Sequence, residues 1–225
     1  MIKAILWDID GTLLDFLKAE SYGIRACFRQ FGLGECTDEM LERYSAINRR
    51  WWEKLERKEC TKQQTLEGRF LEFFASEGLE CAKIKEFNDA YQFYLGDEAF
   101  FHEGGEEAVK ALKGRYLQYA VTNGTALAQE RKLAKSGLDQ LLDGIFISEK
   151  IGFEKPDVRF FEAVFASIPV TPEECVIIGD SQSSDMQGGI NAGIEHWLYN
   201  PKGQAVHCPV DRIITHLSEV TTWLK

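Results

Sequence analysis

Residues 2–15 read IKAILWDIDGTLLD. The apolar run up to Trp7 has the texture of a strand buried on both faces, and Asp10-Gly11 is a turn signal. This strand ends in two acids, Asp8 and Asp10, one residue apart. Alternate residues of a strand point the same way, so both carboxylates can face one site. Their repulsion must be offset by a metal, by a proton or by exposure to water.

Past this stretch the texture changes. From Phe16 to Phe100 there is no proline, and helix formers dominate. Leu41, Tyr44, Asn48, Trp51 and Leu55 fall on one helical face, and Leu66, Phe70, Phe73 and Phe74 mark another. Thr37 and Thr61 are placed to cap helices. The spacing predicts a bundle of about four helices over residues 16–100. After Gly104-Gly105 strand and helix patterns alternate to the end of the chain, with strands predicted at 117–122, 145–148, 175–179 and 195–199 and a further one near 213–215. Helices are predicted between them, one starting at Pro156, a residue tolerated at the first helical position. Such alternation builds a parallel sheet covered by helices on both faces. The first strand belongs to that sheet. The expected organisation is therefore an α/β core made of residues 1–15 and 101–225, with a helical domain, residues 16–100, inserted into it.

The chain has 225 residues, 44% hydrophobic and 28% charged, with a formal net charge of −10. That balance is typical of a globular protein. The negative charge argues against a nucleic-acid polymer or an anionic membrane as the main partner, and a phosphorylated ligand must be captured by local positive groups. The six cysteines form no Cys-x-x-Cys pair, which argues against structural zinc. No secretory signal and no membrane span is read, and scattered thiols fit a reducing cytoplasm.

Ligands of open parallel sheets sit beyond the carboxyl ends of the strands. Those ends carry Asp8 and Asp10, then Thr122-Asn123-Gly124, then Lys155, then Asp180 with Asp185 shortly beyond. The four acids make an oxygen-rich nest suited to a hard cation such as Mg²⁺. Thr122, the backbone near Asn123 and Gly124, and the Lys155 ammonium are suited to holding a phosphoryl group. A carboxylate can attack phosphorus, and a second can protonate the leaving oxygen and then activate water. Each piece alone also reads as an ordinary turn, strand exit or helix cap. Together and in this order they point to phosphoryl chemistry.

The motifs DIDGT, VTNG, EKPD and GDSQSSD resemble those of the haloacid dehalogenase superfamily of phosphohydrolases. The resemblance spans Asp8 to Asp185, and the inserted helices resemble the cap of its first subgroup. It implies a Rossmann-like core with an α-helical cap, Asp8 as nucleophile and Asp10 as general acid/base. It also implies that Thr122 and Lys155 hold the phosphoryl group. Mg²⁺ would be bound by Asp8, the main-chain carbonyl of Asp10, and Asp180, with Asp185 assisting through water or an outer bond. The dehalogenases of the superfamily lack an acid at the position of Asp10, so a phosphatase is the better match.

The stretches YSAINRRWWEKLERKECTKQQTLEGRF and ISEKIGFEKPD are similar to the house-cleaning pyrimidine 5'-nucleotidases of the superfamily. The substrate class this implies is nucleoside monophosphates. Substrate choice is expected in the cap, with Asn48, Arg49, Trp52 and Arg69 as candidates, one tryptophan ring stacking on a base. A sugar-phosphate phosphatase, a hexose-phosphate mutase and a non-catalytic protein that binds a phosphorylated ligand stay open, as does the choice between monomer and homodimer.

Overall fold

The computed structural model describes residues 1–80 and 82–224. Its elements run β1 (Ala4–Trp7), α1 (Phe16–Phe31), α2 (Asp38–Glu56), α3 (Lys62–Glu77), α4 (Ile84–Leu95), α5 (Gly105–Leu112), β2 (Leu117–Thr122), α6 (Ala126–Ser136), α7 (Leu138–Leu141), β3 (Gly144–Ile147), α8 (Ser148–Ile151), α9 (Val158–Phe165), β4 (Cys175–Gly179), α10 (Gln187–Ala192), β5 (Glu195–Tyr199), β6 (Arg212–Ile214) and α11 (Ser218–Trp223). The strands form one parallel sheet in the order β3-β2-β1-β4-β5-β6. In β1, Ile5 and Trp7 join the core on one face with Val109, Leu112 and Val220, while Ala4 and Leu6 join the other with Phe160, Phe161 and Val164. Both faces being covered is why β1 is apolar at every position. Each large side chain buried this way contributes about 2 kcal/mol of transfer free energy. The one polar group of Trp7 is satisfied: its Nε1 donates to Gln118 Oε1 at 3.0 Å, and Gln118 Nε2 donates to Val109 O at 2.9 Å.

The chain divides into two compact units, Met1–Phe16 with Ala99–Lys225, and Leu17–Glu98. The second is built by α1 to α4 around an aromatic centre. Tyr44 stacks on Phe70 at 5.3 Å between ring centroids, and Phe74 meets Phe87 edge-on at 4.9 Å. Thr37 caps α2 through Met40 N–H, and Thr61 forms a capping box with Gln64 at the start of α3. Each cap satisfies an N–H that the helix leaves without a partner.

The sequence expectation fails at Pro156. Helix α9 starts at Val158, and Asp157, not Pro156, opens it, because the Asp157 carboxylate accepts from Arg159 N–H as an N-cap. The Lys155-Pro156 bond is cis. The segment before it contains the short helix α8. A single π-helical turn over Gln182–Met186 precedes α10. No described helix is long and apolar enough to cross a membrane.

Candidate active site

Strand order reverses at β1. The chain builds β2 and β3 on one side of it, then crosses to β4 on the other. Clefts at such switch points lie beyond the strands' carboxyl ends. Asp8 follows β1 directly, with its N–H on Ile178 O of β4 at 2.9 Å. Asp8 as a whole is 7% exposed. Oδ1 accepts from Lys155 Nζ at 2.9 Å, and Oδ2 accepts from the Thr12 hydroxyl at 2.9 Å. The attacking group the sequence suggests is thus held at both oxygens.

Lys155 is 1% exposed. Its ammonium donates to Asp8 Oδ1, to Asp185 Oδ1 at 2.6 Å and to Val121 O at 2.7 Å, so its three N–H groups are all in use. Asn123 brackets the same segment: its Oδ1 accepts from Lys155 N–H at 2.8 Å and its Nδ2 donates to Lys155 O at 2.9 Å. The structure therefore gives the Asn123 side chain a job in placing Lys155. At the end of β2, Thr122 Oγ1 accepts the Gly124 N–H at 3.2 Å, which leaves the Thr122 hydroxyl proton to give.

Asp8, Asp180 and Asp185 each present a carboxylate oxygen, all within 4.8 Å of one another. Asp185 is tied at both oxygens, since its Oδ2 accepts from Ser181 N–H at 3.1 Å. Gly11 turns the chain here at φ +97°, and a Cβ on it would lie 2.5 Å from Asp180 Oδ2. Only glycine both adopts this backbone readily and lets that carboxylate approach. Burial, then the charge of Asp185, push the Asp8 carboxyl up to about 7 against the opposing pull of Lys155. Crowding by the surrounding protein, then the charges of Asp8 and Asp185, push Asp180 up from its ordinary value as well, although this residue, unlike Asp8 and Asp185, is exposed to solvent. Burial alone would lower Lys155, but Asp185 and Asp8 outweigh it and hold the ammonium above its ordinary value. A cation would relieve the crowding that raises Asp8 and Asp180, and the all-oxygen donors of the three acids fit a hard divalent ion.

Asp10 is held differently. Its Oδ1 pairs with Lys132 Nζ at 2.5 Å, and its Oδ2 accepts from Gln129 Nε2 at 2.6 Å. Both partners lie on α6, and sequence reasoning missed them, as it missed Thr12. Gln129 and Lys132 are three residues apart on a helix that reads as ordinary framework; only the tertiary fold aims them at Asp10.

The four candidates in the helical unit part company. Asn48 and Arg69 are 2% and 1% exposed. Glu20 accepts from Ser45 and from Asn48 Nδ2, Asn48 Oδ1 accepts from Arg69, and Arg69 reaches Asn88 Oδ1 at 3.0 Å. The Arg69 guanidinium also lies over the Phe70 and Tyr91 rings. Against the expectation of ligand contacts, these two side chains are spent inside the bundle, because buried polar groups must find partners there. Arg49 lines an open cavity of about 540 Å³ with Leu17, Glu20, Ser45 and Ala46. Trp51 packs against Gly68 and donates to Glu72, while Trp52 is half-buried near Lys62.

A family profile described as haloacid dehalogenase-like hydrolase matches residues 2–193. The pyrimidine 5'-nucleotidase PynA of Streptococcus pneumoniae is 36% identical over 88% of this chain and 84% of its own length. The pyrimidine 5'-nucleotidase YjjG of Escherichia coli is 28% identical over 86% of this chain and 84% of its own. Among solved structures, the HAD-hydrolase YfnB of Bacillus subtilis, crystallised with magnesium, superposes with a TM-score of 0.93 at 30% identity. That match covers 99% of this chain and 98% of the other.

Proposed function

From the premise that the chain belongs to the haloacid dehalogenase-like hydrolases, a family in which it is a phosphatase, we propose that it hydrolyses nucleoside 5'-monophosphates, pyrimidine ones foremost, through an aspartyl phosphate on Asp8. The observation that carries the reading is the Asp8 carboxylate, held by Lys155 and Thr12 at the centre of the switch point with Asp10 two residues on. The names of the two relatives support the nucleotide preference.

In the first step an Asp8 oxygen attacks phosphorus, the P–O ester bond breaks, and the leaving oxygen takes a proton from Asp10. In the second, water attacks the same phosphorus and gives a proton to Asp10 while the Asp8–phosphorus bond breaks. The sum is alcohol plus inorganic phosphate. Lys155 supplies charge at the nucleophile, and Thr122 offers its hydroxyl to the phosphoryl oxygens. Mg²⁺ fits the acidic set: Asp8, the Asp10 carbonyl and Asp180 would hold it, with Asp185 steadied by Lys155 and Ser181 outside them. When bound, it neutralises charge on the phosphoryl group and on the acids. We assign substrate choice to Arg49 and Trp52 of the helical unit. The described cysteines are free thiols, which supports a reducing, cytoplasmic setting.

The test is phosphate release from a panel of nucleoside monophosphates and sugar phosphates, with Mg²⁺, with chelator, and with Asp8→Asn. Metal-dependent release that ranks nucleotides first and vanishes in Asp8→Asn is expected. An isomerised sugar phosphate without free phosphate would overturn the reading in favour of a mutase. Ligand-dependent stabilisation without turnover would overturn it in favour of a binding protein.

A further inference from the structure

Helix α6 carries two buried polar side chains, Gln129 and Lys132, each 1% exposed. A buried ammonium is costly unless it is paired, and a buried amide costs stability for each group left unmet. Lys132 meets its requirement by pairing with Asp10 Oδ1 at 2.5 Å, and its Nζ lies 5.2 Å from the Phe16 ring centroid. Gln129 does so only in part. Its Nε2 donates to Asp10 Oδ2, while its buried Oε1 has no partner among the described residues. The amide is thus oriented toward Asp10 at the expense of its own acceptor. Gly124 takes part in the same arrangement, since a Cβ there would fall on the Gln129 amide. The glycine of the Thr122-Asn123-Gly124 segment makes room for the side chain that reaches Asp10.

We propose that Gln129 and Lys132 are positioning residues that fix the orientation of the Asp10 carboxyl for proton transfer to the leaving oxygen. The inference rests on the phosphatase reading above. A free aspartate rotates about two torsions. Here each oxygen is pinned by a separate donor, and each keeps a second lone-pair direction, on which the carboxyl carries the proton that goes to the leaving oxygen. Fixed orientation matters most where the proton is most needed. An alkoxide leaving group requires it as the ester bond breaks, whereas p-nitrophenolate departs largely unaided. Loss of the pair therefore changes leaving-group selectivity, which a purely structural ion pair would not do.

The experiment compares kcat and KM for a nucleoside 5'-monophosphate and for p-nitrophenyl phosphate in the wild type, Lys132→Met, Lys132→Arg, Gln129→Met and Asp10→Asn, with thermal melts of each. The expected result for Lys132→Met and Gln129→Met is a fall of about tenfold in the ratio of kcat on the alkyl ester to kcat on the aryl ester, a part of the hundredfold or more that general acid catalysis supplies. KM stays nearly constant, and Lys132→Arg keeps most of the ratio. Added to Asp10→Asn, Lys132→Met lowers the ratio no further. An equal loss on both esters, or a loss additive with Asp10→Asn, overturns the proposal. If Lys132→Met does not fold, the nearly isosteric Gln129→Met decides the matter by the same ratio. A wild-type protein that releases phosphate from neither ester would overturn the phosphatase reading instead.

Discussion

Lys155 Nζ sits 2.9 Å from Asp8 Oδ1 and 2.6 Å from Asp185 Oδ1, one buried ammonium between two buried carboxylates. Removing one member of such a set leaves the others charged and unpaired. Lys155→Met is expected to cut kcat about a hundredfold or more, the scale of losing one aimed donor. It should also lower the melting temperature of the metal-free protein, and added Mg²⁺ should recover part of that loss. Steady-state rates and melts with and without Mg²⁺ check both.

Asp8→Asn acts in the opposite sense on stability. It removes the nucleophile, so turnover should disappear. It also removes one charge from a cluster whose mutual repulsion and burial push Asp8 up to about 7. At pH 8 without metal, the variant should melt no lower than the wild type. A marked drop would mean that the Lys155–Asp8 pair outweighs the repulsion.

The same raised group sets a pH dependence. Between the unfolded carboxylate value of 3.8 and about 7, the folded metal-free protein keeps a proton on Asp8 that the unfolded chain has released. The folded state then binds more protons, so this contribution to stability is lost as pH rises through 7. Mg²⁺ must displace that proton. Its stabilising shift in melting temperature is expected to be larger at pH 8 than at pH 5.5, and a shift independent of pH would contradict the assignment.

Gly11→Ala places a methyl group beside the Asp180 carboxylate in a backbone conformation at φ +97°. The backbone strain alone costs about 1–3 kcal/mol. The variant should melt lower and need more Mg²⁺ for half-maximal stabilisation, measured by titration at fixed pH.

In the helical unit, Arg69→Met takes the buried guanidinium donor from Asn48 Oδ1 and leaves Asn88 Oδ1 with Gln92 Nε2 at 3.3 Å. A loss of about 3 kcal/mol is expected. It should appear in denaturant unfolding followed by tryptophan fluorescence, since Trp51 and Trp52 lie in this unit.

Much of this is legible in the sequence, for reasons that differ by residue. The all-apolar β1 announces a strand covered on both faces. Asp8, Asp180, Asp185 and Lys155 can be gathered because parallel strands deliver their carboxyl ends to one edge. Thr37 and Thr61 act on N–H groups a few residues away, so local pattern suffices. Asn48 and Arg69, expected to line a pocket of the cap, make their hydrogen bonds inside the bundle instead. Their burial depends on Glu20 and Asn88, brought from other helices. Gln129 and Lys132 escape notice for the same reason: their partner, Asp10, lies far away in sequence. Pro156 misleads because the cap that starts α9 is the next residue.

The insertion also bears on how the chain reaches its native state. Ala4 pairs with Leu117 and Cys175, so the central strand must wait for partners made much later. Yet Asp15 N–H meets Phe100 O at 2.7 Å, and Leu14 bridges to Phe101, so the chain leaves and re-enters the sheet unit at one point. Helices form from local contacts faster than distant strands can pair. A bundle that has already collapsed, with its two ends drawn together, spares the sheet most of the loop entropy of reaching across it. With its two ends joined at Asp15–Phe100 and Leu14–Phe101, the inserted unit adds little loop entropy to the closing of the sheet.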